Sequence, residues 1–165
     1  MEISLRSFTL DDIHSLKQWA LDIEVEKYQS RIFPRAFNDR DFSGSDGLWA
    51  WYVILADGEE AGTVWLEKET PESEQAILGI MLANKKYFGK GIGRQAILMV
   101  IEQALESLGF NRVVLTVRRD NTRAIASYQR VGFTISEEGI REYQDGTRIP
   151  YYFMELDLDA SSVKL

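Results

Sequence analysis

The sequence predicts a mixed α/β fold, and three observations carry that prediction. The apolar run QAILGIML at 75–82 is typical of a central strand buried on both faces. Apolar residues recur at helical spacing over 92–108 and end at Gly109. Asp57-Gly58 and Asp145-Gly146 each separate two strand-like segments, as the turn of a β-hairpin does. Strands on both sides of helices in this order favour a mixed sheet over a helical bundle or a β-sandwich.

The other elements follow from the same patterns. Ile3–Phe8 alternates apolar and polar residues as a half-buried strand does, and Thr9 stands where a helix cap belongs. Residues 21–47 are weakly patterned and are predicted as a short helix followed by a loop. Further strands are predicted at 48–55, 61–69, 112–117 (buried), 133–139 and 149–158, and a short helix at 121–131. We expect one domain over 1–160 and a loose tail at 161–165.

Composition excludes several classes of site and partner. The chain of 165 residues has no cysteine, which excludes a catalytic thiol or a thiolate metal site. It has one histidine, His14, so a multi-histidine metal centre is excluded, and no metal is expected. A net charge of −7 argues against a nucleic-acid partner. No signal peptide is evident and no apolar stretch approaches the roughly 20 residues of a membrane span, so we expect a cytoplasmic protein without a membrane partner.

A glycine-rich loop, YFGKGIGRQAI at 87–97, predicts a site for an anion. Gly89, Gly91 and Gly93 lead directly into the predicted helix, whose first amides have no partner within the helix. Glycine lets a phosphate approach the backbone, and the helix dipole places partial positive charge there. Lys90 and Arg94 add charge of the right sign. A pyrophosphate is the simplest occupant.

The loop alone leaves the identity of the anion open. A Walker phosphate loop is absent, but GIGRQA at 91–96 matches the dinucleotide pattern G-x-G-x-x-G/A. That pattern should follow its strand at once, whereas ANKKYF separates Leu82 from the first glycine. The next strand ends at Arg118-Arg119, and an arginine there suits the 2′-phosphate of NADP. A plain helix start, with glycines serving only the turn, is the third interpretation.

A second cluster carries a family resemblance. The segment NTRAIASYQRVGF at 121–133 resembles the second signature of the GNAT superfamily of acetyl-CoA-dependent N-acetyltransferases. Gly91 and Gly93 match the first signature, Gln/Arg-x-x-Gly-x-Gly/Ala, with Phe88 in the usual Gln/Arg place. An aromatic residue there is similar to the branch containing ribosomal-protein alanine and polyamine acetyltransferases. The resemblance covers most of the chain, and its residues in the second signature are Asn121, Ala124, Tyr128, Gly132 and Phe133.

The resemblance implies a fold, a co-substrate and a set of binding residues. The fold would be a mostly antiparallel central sheet with flanking helices, and the co-substrate acetyl-CoA. The end of the central strand would pair with the pantetheine arm, the glycine loop would cradle the pyrophosphate through its amides, and Asn121 would bond the arm. Tyr128 would protonate the departing thiolate. The implied acetyl-CoA-binding residues are Ile80, Met81, Leu82, Phe88, Gly89, Lys90, Gly91, Ile92, Gly93, Arg94 and Asn121.

The resemblance implies direct attack of a primary amine on acetyl-CoA, but it assigns no general base. Several family members have a glutamate five residues before the motif asparagine, where this chain has Thr116. Others have one in the central strand, which here carries Ala76-Ile77-Leu78. The candidates in this chain are Glu67, Glu69 and Glu74, each more simply explained as a solvated loop charge, and, more weakly, Tyr143 and His14.

The acceptor is predicted only as a small-molecule or peptide amine. Residues 21–47 and the loop 144–148 are expected to shape its site, and a homodimer is common in such a family. Two other functions remain open: an acyl-CoA-binding module without turnover, and an NADP-binding oxidoreductase, although only about 70 residues follow its motif. Four acidic residues either attract a cationic acceptor or form an ordinary solvated face: Asp22, Glu24, Glu26 and Asp41.

Overall fold

A computed structural model of the chain describes residues 1–23, 31–37 and 48–158. The predicted helix within 21–47 and the predicted tail at 161–165 therefore fall largely or wholly outside the described residues. The same holds for Glu24, Glu26 and Asp41, whose role toward a cationic acceptor stays a prediction.

The described residues form a seven-stranded mixed sheet, which confirms the predicted fold class. Its spatial order is β1-β2-β3-β4-β5-β7-β6, and every neighbouring pair is antiparallel except β4 and β5. The Asp57-Gly58 turn between β2 and β3 has positive φ at both residues, as a type I′ hairpin turn requires. The strands are β1 (Ile3–Ser7), β2 (Trp49–Ala56), β3 (Glu59–Glu67), β4 (Gln75–Leu82), β5 (Arg112–Arg118), β6 (Thr134–Glu142) and β7 (Arg148–Asp157).

Three α-helices flank the sheet in the described part of the chain: α1 (Ile13–Asp22), α2 (Ile92–Leu108) and α3 (Thr122–Val131). Helix α2 packs across β1, β2 and β3. It buries an apolar stripe made of Ile92, Ala96, Ile97, Val100, Ile101, Ala104 and Leu108. Within the described ranges, no helix combines the length and the apolar character needed to cross a membrane.

The prediction that β4 and β5 are buried on both faces is wrong. In β4, Ala76 and Leu78 are buried whereas Ile77 and Gly79 are partly exposed. The residues of β5 alternate in the same way, with Val113, Leu115 and Val117 buried between more exposed neighbours. The reason is that one face of these two strands packs on the core while the other opens into cavities.

The pairing of β4 with β5 is short, and this opens a gap in the sheet. The two strands pair in parallel only over Gln75–Ile77 and Arg112–Val114. Beyond that point β4 stays paired with β3 as far as Leu82, and β5 stays paired with β7 as far as Arg118. In the described part of the chain, the edge of β4 that faces β5 therefore has no strand partner after Ile77, and its backbone groups are available to a ligand.

Candidate active site

Two cavities meet at the gap between β4 and β5. The smaller has a volume of about 170 Å³ and the larger about 550 Å³. Four residues line both cavities: Leu78 and Gly79 of β4, and Thr116 and Val117 of β5. A molecule in one cavity can therefore approach a molecule in the other at the point where the strands separate.

The smaller cavity is lined by most of the residues that were predicted to bind acetyl-CoA or to act on it. Seven of the predicted site residues line it: Ile80, Met81, Leu82, Phe88, Gly93, Asn121 and Tyr128. Sequence reasoning missed three further lining residues: Lys85, just before the glycine loop, and Arg123 and Ser127, which occupy variable positions within the second motif. Gly89, Lys90, Gly91 and Arg94 are exposed beyond this lining, and the Ile92 side chain is buried in the core, which leaves only its backbone to a ligand.

The glycine loop has the backbone conformation expected of an anion cradle. Gly91 is the N-cap of α2 and is left-handed, with φ 77°, and Gly89 has φ 73°. A Cβ at either position would meet nothing within 4 Å, so the conformation and not crowding favours glycine. The amides of Ile92, Gly93 and Arg94 open the helix and have no partner within it. No acidic residue occupies this first turn.

Helix α3 supplies an arginine to the mouth of the loop. The guanidinium of Arg123 stacks over the Phe88 ring, 3.7 Å from its centroid. The aromatic residue that replaces the usual Gln/Arg of the first signature thus holds a cation beside the smaller cavity. Nothing in the spacing of the two motifs identified this contact.

Asn121 and Tyr128 present polar groups to the same cavity. The Asn121 side-chain oxygen accepts a hydrogen bond from the Ala124 amide at 3.3 Å and so caps α3, while its NH₂ group has no acceptor among the described residues. Tyr128 is half-buried and packs edge-on against Phe133, with ring centroids 5.9 Å apart. Burial raises the pKa of Tyr128 to about 12, with Arg123 opposing the shift. Its phenol is therefore protonated throughout the neutral range and can donate a hydrogen bond.

The larger cavity includes parts of both segments predicted to shape the acceptor site. Arg31 and Arg35 come from the described part of 21–47, and Asp145 and Thr147 from the loop 144–148. Of the other walls, Glu67 and Tyr143 were named as candidate bases, whereas sequence reasoning missed four residues that lie on regular strands: Trp65, Arg141, Ile149 and Tyr151. The remaining lining residues beside the four shared ones are Trp65, Glu67, Ile77, Arg118, Arg141, Tyr143, Ile149 and Tyr151.

Two aromatic walls of the larger cavity depend on glycines in neighbouring strands. Trp65 and Gly79 are paired across β3 and β4, and a Cβ on Gly79 would lie 2.0 Å from the Trp65 ring. Tyr151 and Gly139 are paired across β7 and β6, and a Cβ on Gly139 would lie 2.6 Å from the Tyr151 ring. Each glycine leaves the space that its aromatic partner occupies, which is a usual reason for glycine inside a strand.

Glu67 is a buried carboxylate in the larger cavity, so its interpretation as a solvated loop charge is wrong. It is 4% exposed, and its Oε2 accepts hydrogen bonds from Trp65 Nε1 and the Arg35 amide, both at 2.9 Å. Its Oε1 lies 3.7 Å from Arg35 Nε. Glu67 is paired across β3 and β4 with Ile77, the last β4 residue paired to β5. A carboxylate therefore stands one strand away from the position where some relatives carry glutamate.

The other candidate bases are less well placed. Three of them are exposed and line neither cavity: Glu69, Glu74 and, on α1, His14. Tyr143 is exposed but lines the larger cavity.

Comparison with known proteins identifies the family. The model of the acetyltransferase (GNAT) domain matches residues 2–134. The chain belongs to the GNAT acetyltransferase family. The resemblance stated from the two motifs is thereby confirmed, and the sheet described above is the GNAT fold.

The relatives of this GNAT chain differ in length and in the activity for which they are named. A mycothiol acetyltransferase of Corynebacterium glutamicum is 32% identical over 101 residues, covering 60% of this chain and 32% of the relative. The chain thus spans about a third of the length of that relative. An uncharacterized N-acetyltransferase, p20, of Bacillus licheniformis is 28% identical over 167 residues, covering 93% and 92%.

Solved structures share the fold at low identity. The ribosomal L7/L12 alpha-N-protein acetyltransferase RimL in complex with coenzyme A has a TM-score of 0.77 and 20% identity, covering 96% of each chain. The spermidine N-acetyltransferase of Vibrio cholerae in complex with CoA and spermine has a TM-score of 0.75 and 17% identity, covering 94% of this chain and 95% of that one.

We predict that Tyr128→Phe reduces the loss of stability at alkaline pH. The pKa of Tyr128 is raised to about 12 in the folded chain, so the unfolded chain, with a pKa of about 10, ionises first as pH rises. The contribution of the raised Tyr128 pKa to the free energy of unfolding is fully present below pH ~10 and is lost as pH approaches ~12. Between about pH 9 and 11 the free energy of unfolding should fall about 1.4 kcal/mol further in the wild type than in the variant.

Urea unfolding at the two pH values measures this difference, and Tyr143→Phe on the exposed end of the hairpin is the matched control. Equal losses in the wild type and Tyr128→Phe would show that Tyr128 is not desolvated.

Proposed function

We propose that this chain transfers acetyl from acetyl-CoA to a primary amine by direct attack in a ternary complex. The observation that carries the proposal is the junction of two cavities at the end of the β4–β5 pairing. Acetyl-CoA occupies the smaller cavity and the glycine loop, and the amine occupies the larger cavity. The thioester carbonyl and the amine nitrogen then meet beside the four shared residues, and holding both reactants there supplies the main rate advantage.

The binding of acetyl-CoA follows from three groups of donors and acceptors. The free edge of β4 from Leu78 to Leu82 pairs with the pantetheine amides as an added strand would. The amides at the start of α2 bind the pyrophosphate, assisted by the helix dipole. The NH₂ group of Asn121 donates to the pantetheine arm.

The amine reaches the thioester from the Glu67 side. An alkyl amine has a pKa near 10 and arrives mostly as an ammonium ion, which a buried carboxylate attracts. Glu67 binds that ion in the larger cavity and receives its proton directly or through water, so that the neutral amine attacks. Its two hydrogen-bond donors, Trp65 and the Arg35 amide, hold the carboxylate in place.

Tyr128 acts on the leaving group. As the amine nitrogen bonds to the carbonyl carbon, the carbon–sulfur bond breaks and a thiolate leaves. A thiol has a pKa near 8.5, about 3.5 units below that of Tyr128, so complete proton transfer from the phenol to the thiolate is unfavourable by about 5 kcal/mol. Tyr128 therefore stabilises the developing thiolate mainly as a hydrogen-bond donor. If the phenol does give its proton to the thiolate, the proton that the nitrogen loses on forming the amide restores it.

We predict that acetyl-CoA and CoA raise the melting temperature of the chain and that NADPH does not. At a concentration about 100 times Kd, ligand binding adds about 2.7 kcal/mol to the free energy of unfolding. Gly93→Ala should reduce this gain, because its Cβ would lie where the pyrophosphate approaches the backbone. In the free chain that Cβ would meet only ordinary contacts at 3.8 Å, so the free variant should be as stable as the wild type or more so.

The outcomes separate the three functions left open by the sequence. Stabilisation by NADPH alone would contradict acetyl-CoA binding and favour an oxidoreductase. Stabilisation by acetyl-CoA without turnover of any amine in a broad screen would favour a binding module over an enzyme.

We predict that Glu67→Gln lowers kcat/KM for the amine by about a hundredfold or more and leaves KM for acetyl-CoA nearly unchanged. The substitution keeps the shape of the side chain and removes its charge and basicity. Glu69→Gln is the matched control, since Glu69 is exposed and also lies near Arg35, at 3.9 Å. Steady-state kinetics with the best amine of the screen measure both variants. An equal effect of the two substitutions would contradict a role of Glu67 at the amine.

A further inference from the structure

Arginine side chains outnumber carboxylates in the lining of the larger cavity. Four arginines face two carboxylates there. Two of the arginines have acidic partners: Arg35 lies beside Glu67 and Glu69, and Arg118 contacts Asp120 at 2.8 Å. The other two, Arg31 and Arg141, have no carboxylate within 4.0 Å among the described residues.

The cavity's second carboxylate does not compensate these two arginines. Asp145 is exposed at the end of the β6–β7 hairpin, and its oxygen accepts a hydrogen bond from the Thr147 amide at 2.9 Å. Arg141 instead lies over the Tyr151 ring, 5.8 Å from its centroid. Among the described residues, these two arginines of the cavity therefore lack a carboxylate in direct contact.

Arg31 has the stronger requirement for a partner. Its Nε is buried and has no hydrogen-bond partner in the described part of the chain. Burial lowers the pKa of Arg31, with Glu67 opposing the shift and Arg35 reinforcing it. A buried donor without an acceptor is unfavourable, and the planar guanidinium fits the paired oxygens of a carboxylate or a phosphoryl group.

We propose that the acceptor is a small primary amine that also bears an anionic oxygen group, a carboxylate or a phosphonate, bound by Arg31 together with Arg141. The proposal rests on the proposed function and names its substrate class. The amine end lies at Glu67 and the junction, and the anionic end lies at the arginines, so the cavity matches a zwitterion of amino-acid type. Its volume of about 550 Å³ is in the range of small-molecule sites. A polyamine such as spermine has no group for Arg31 to bind.

The test compares amines that differ only in the anionic group. Leucine, phenylalanine and lysine are each assayed with acetyl-CoA beside the amine that lacks the carboxylate (isopentylamine, phenethylamine and cadaverine) and beside the phosphonate analogue. We expect the anionic member of at least one set to have a kcat/KM about tenfold or more above that of its neutral partner. The carboxylate and phosphonate arms distinguish the two anionic groups.

Arg31→Gln tests the assignment to a residue. We expect it to reduce the preference for the anionic member about tenfold, mainly through KM of the acceptor, so that kcat/KM falls much further for the anionic member than for its neutral partner. Since Arg31 Nε has no partner to lose, the melting temperature of the variant should be equal to that of the wild type or higher. Arg130→Gln, an exposed arginine of α3 that lines neither cavity, is the matched control.

Three results would overturn the proposal: a preference for the neutral amines, an equal loss for both members of a pair in Arg31→Gln, or no acetylation of any anionic amine while acetyl-CoA still stabilises the chain. In each of these cases the proposed binding of acetyl-CoA stands. Failure of acetyl-CoA to stabilise the chain would instead contradict the proposed function itself.

Discussion

The candidate active site depends on the point at which β4 and β5 stop pairing. Three residue pairs, ending at Ile77 and Val114, hold the two halves of the sheet together. Because β3 and β7 continue to hold the outer edges of the diverging strands, the gap is wide at one end and closed at the other. The free edge of β4, the two cavities and the four residues they share all follow from this separation.

A buried lysine helps to fix α2 relative to that gap. Lys68, directly after β3, is 5% exposed and donates three hydrogen bonds through Nζ, to the carbonyls of Leu108 and Gly109 at 2.8 Å each and of Pro71 at 2.6 Å. A cation at the C-terminus of a helix binds its last carbonyls and interacts favourably with its dipole. The far end of α2 is thus tied to the β3–β4 connection, while its N-terminus and the glycine loop lie at the smaller cavity.

The sequence predicted most of the helices and strands because local patterns determine them, whereas the binding of acetyl-CoA by the two motifs stays a prediction. The glycine loop and the segment beginning at Asn121 are contiguous motifs, and parts of both line one cavity: Phe88 and Gly93 from the first, Asn121 and Tyr128 from the second. The larger cavity was predicted only in part, because its walls come from cross-strand pairs such as Trp65 with Gly79, which depend on register. Glu67 was misjudged for the same reason, since its burial depends on Trp65 and on Arg35, 32 residues away. The net charge of −7 likewise gave no indication of a cavity rich in arginine.

The proposed mechanism requires that both substrates bind at once, on either side of the β4–β5 gap. Initial rates measured while acetyl-CoA and the amine are varied together test it most directly. We expect double-reciprocal lines that intersect, because in direct attack no protein group takes the acetyl and both molecules must be present before the carbon–sulfur bond breaks. Parallel lines, together with an acetylated protein detected by mass spectrometry when the amine is withheld, would contradict it.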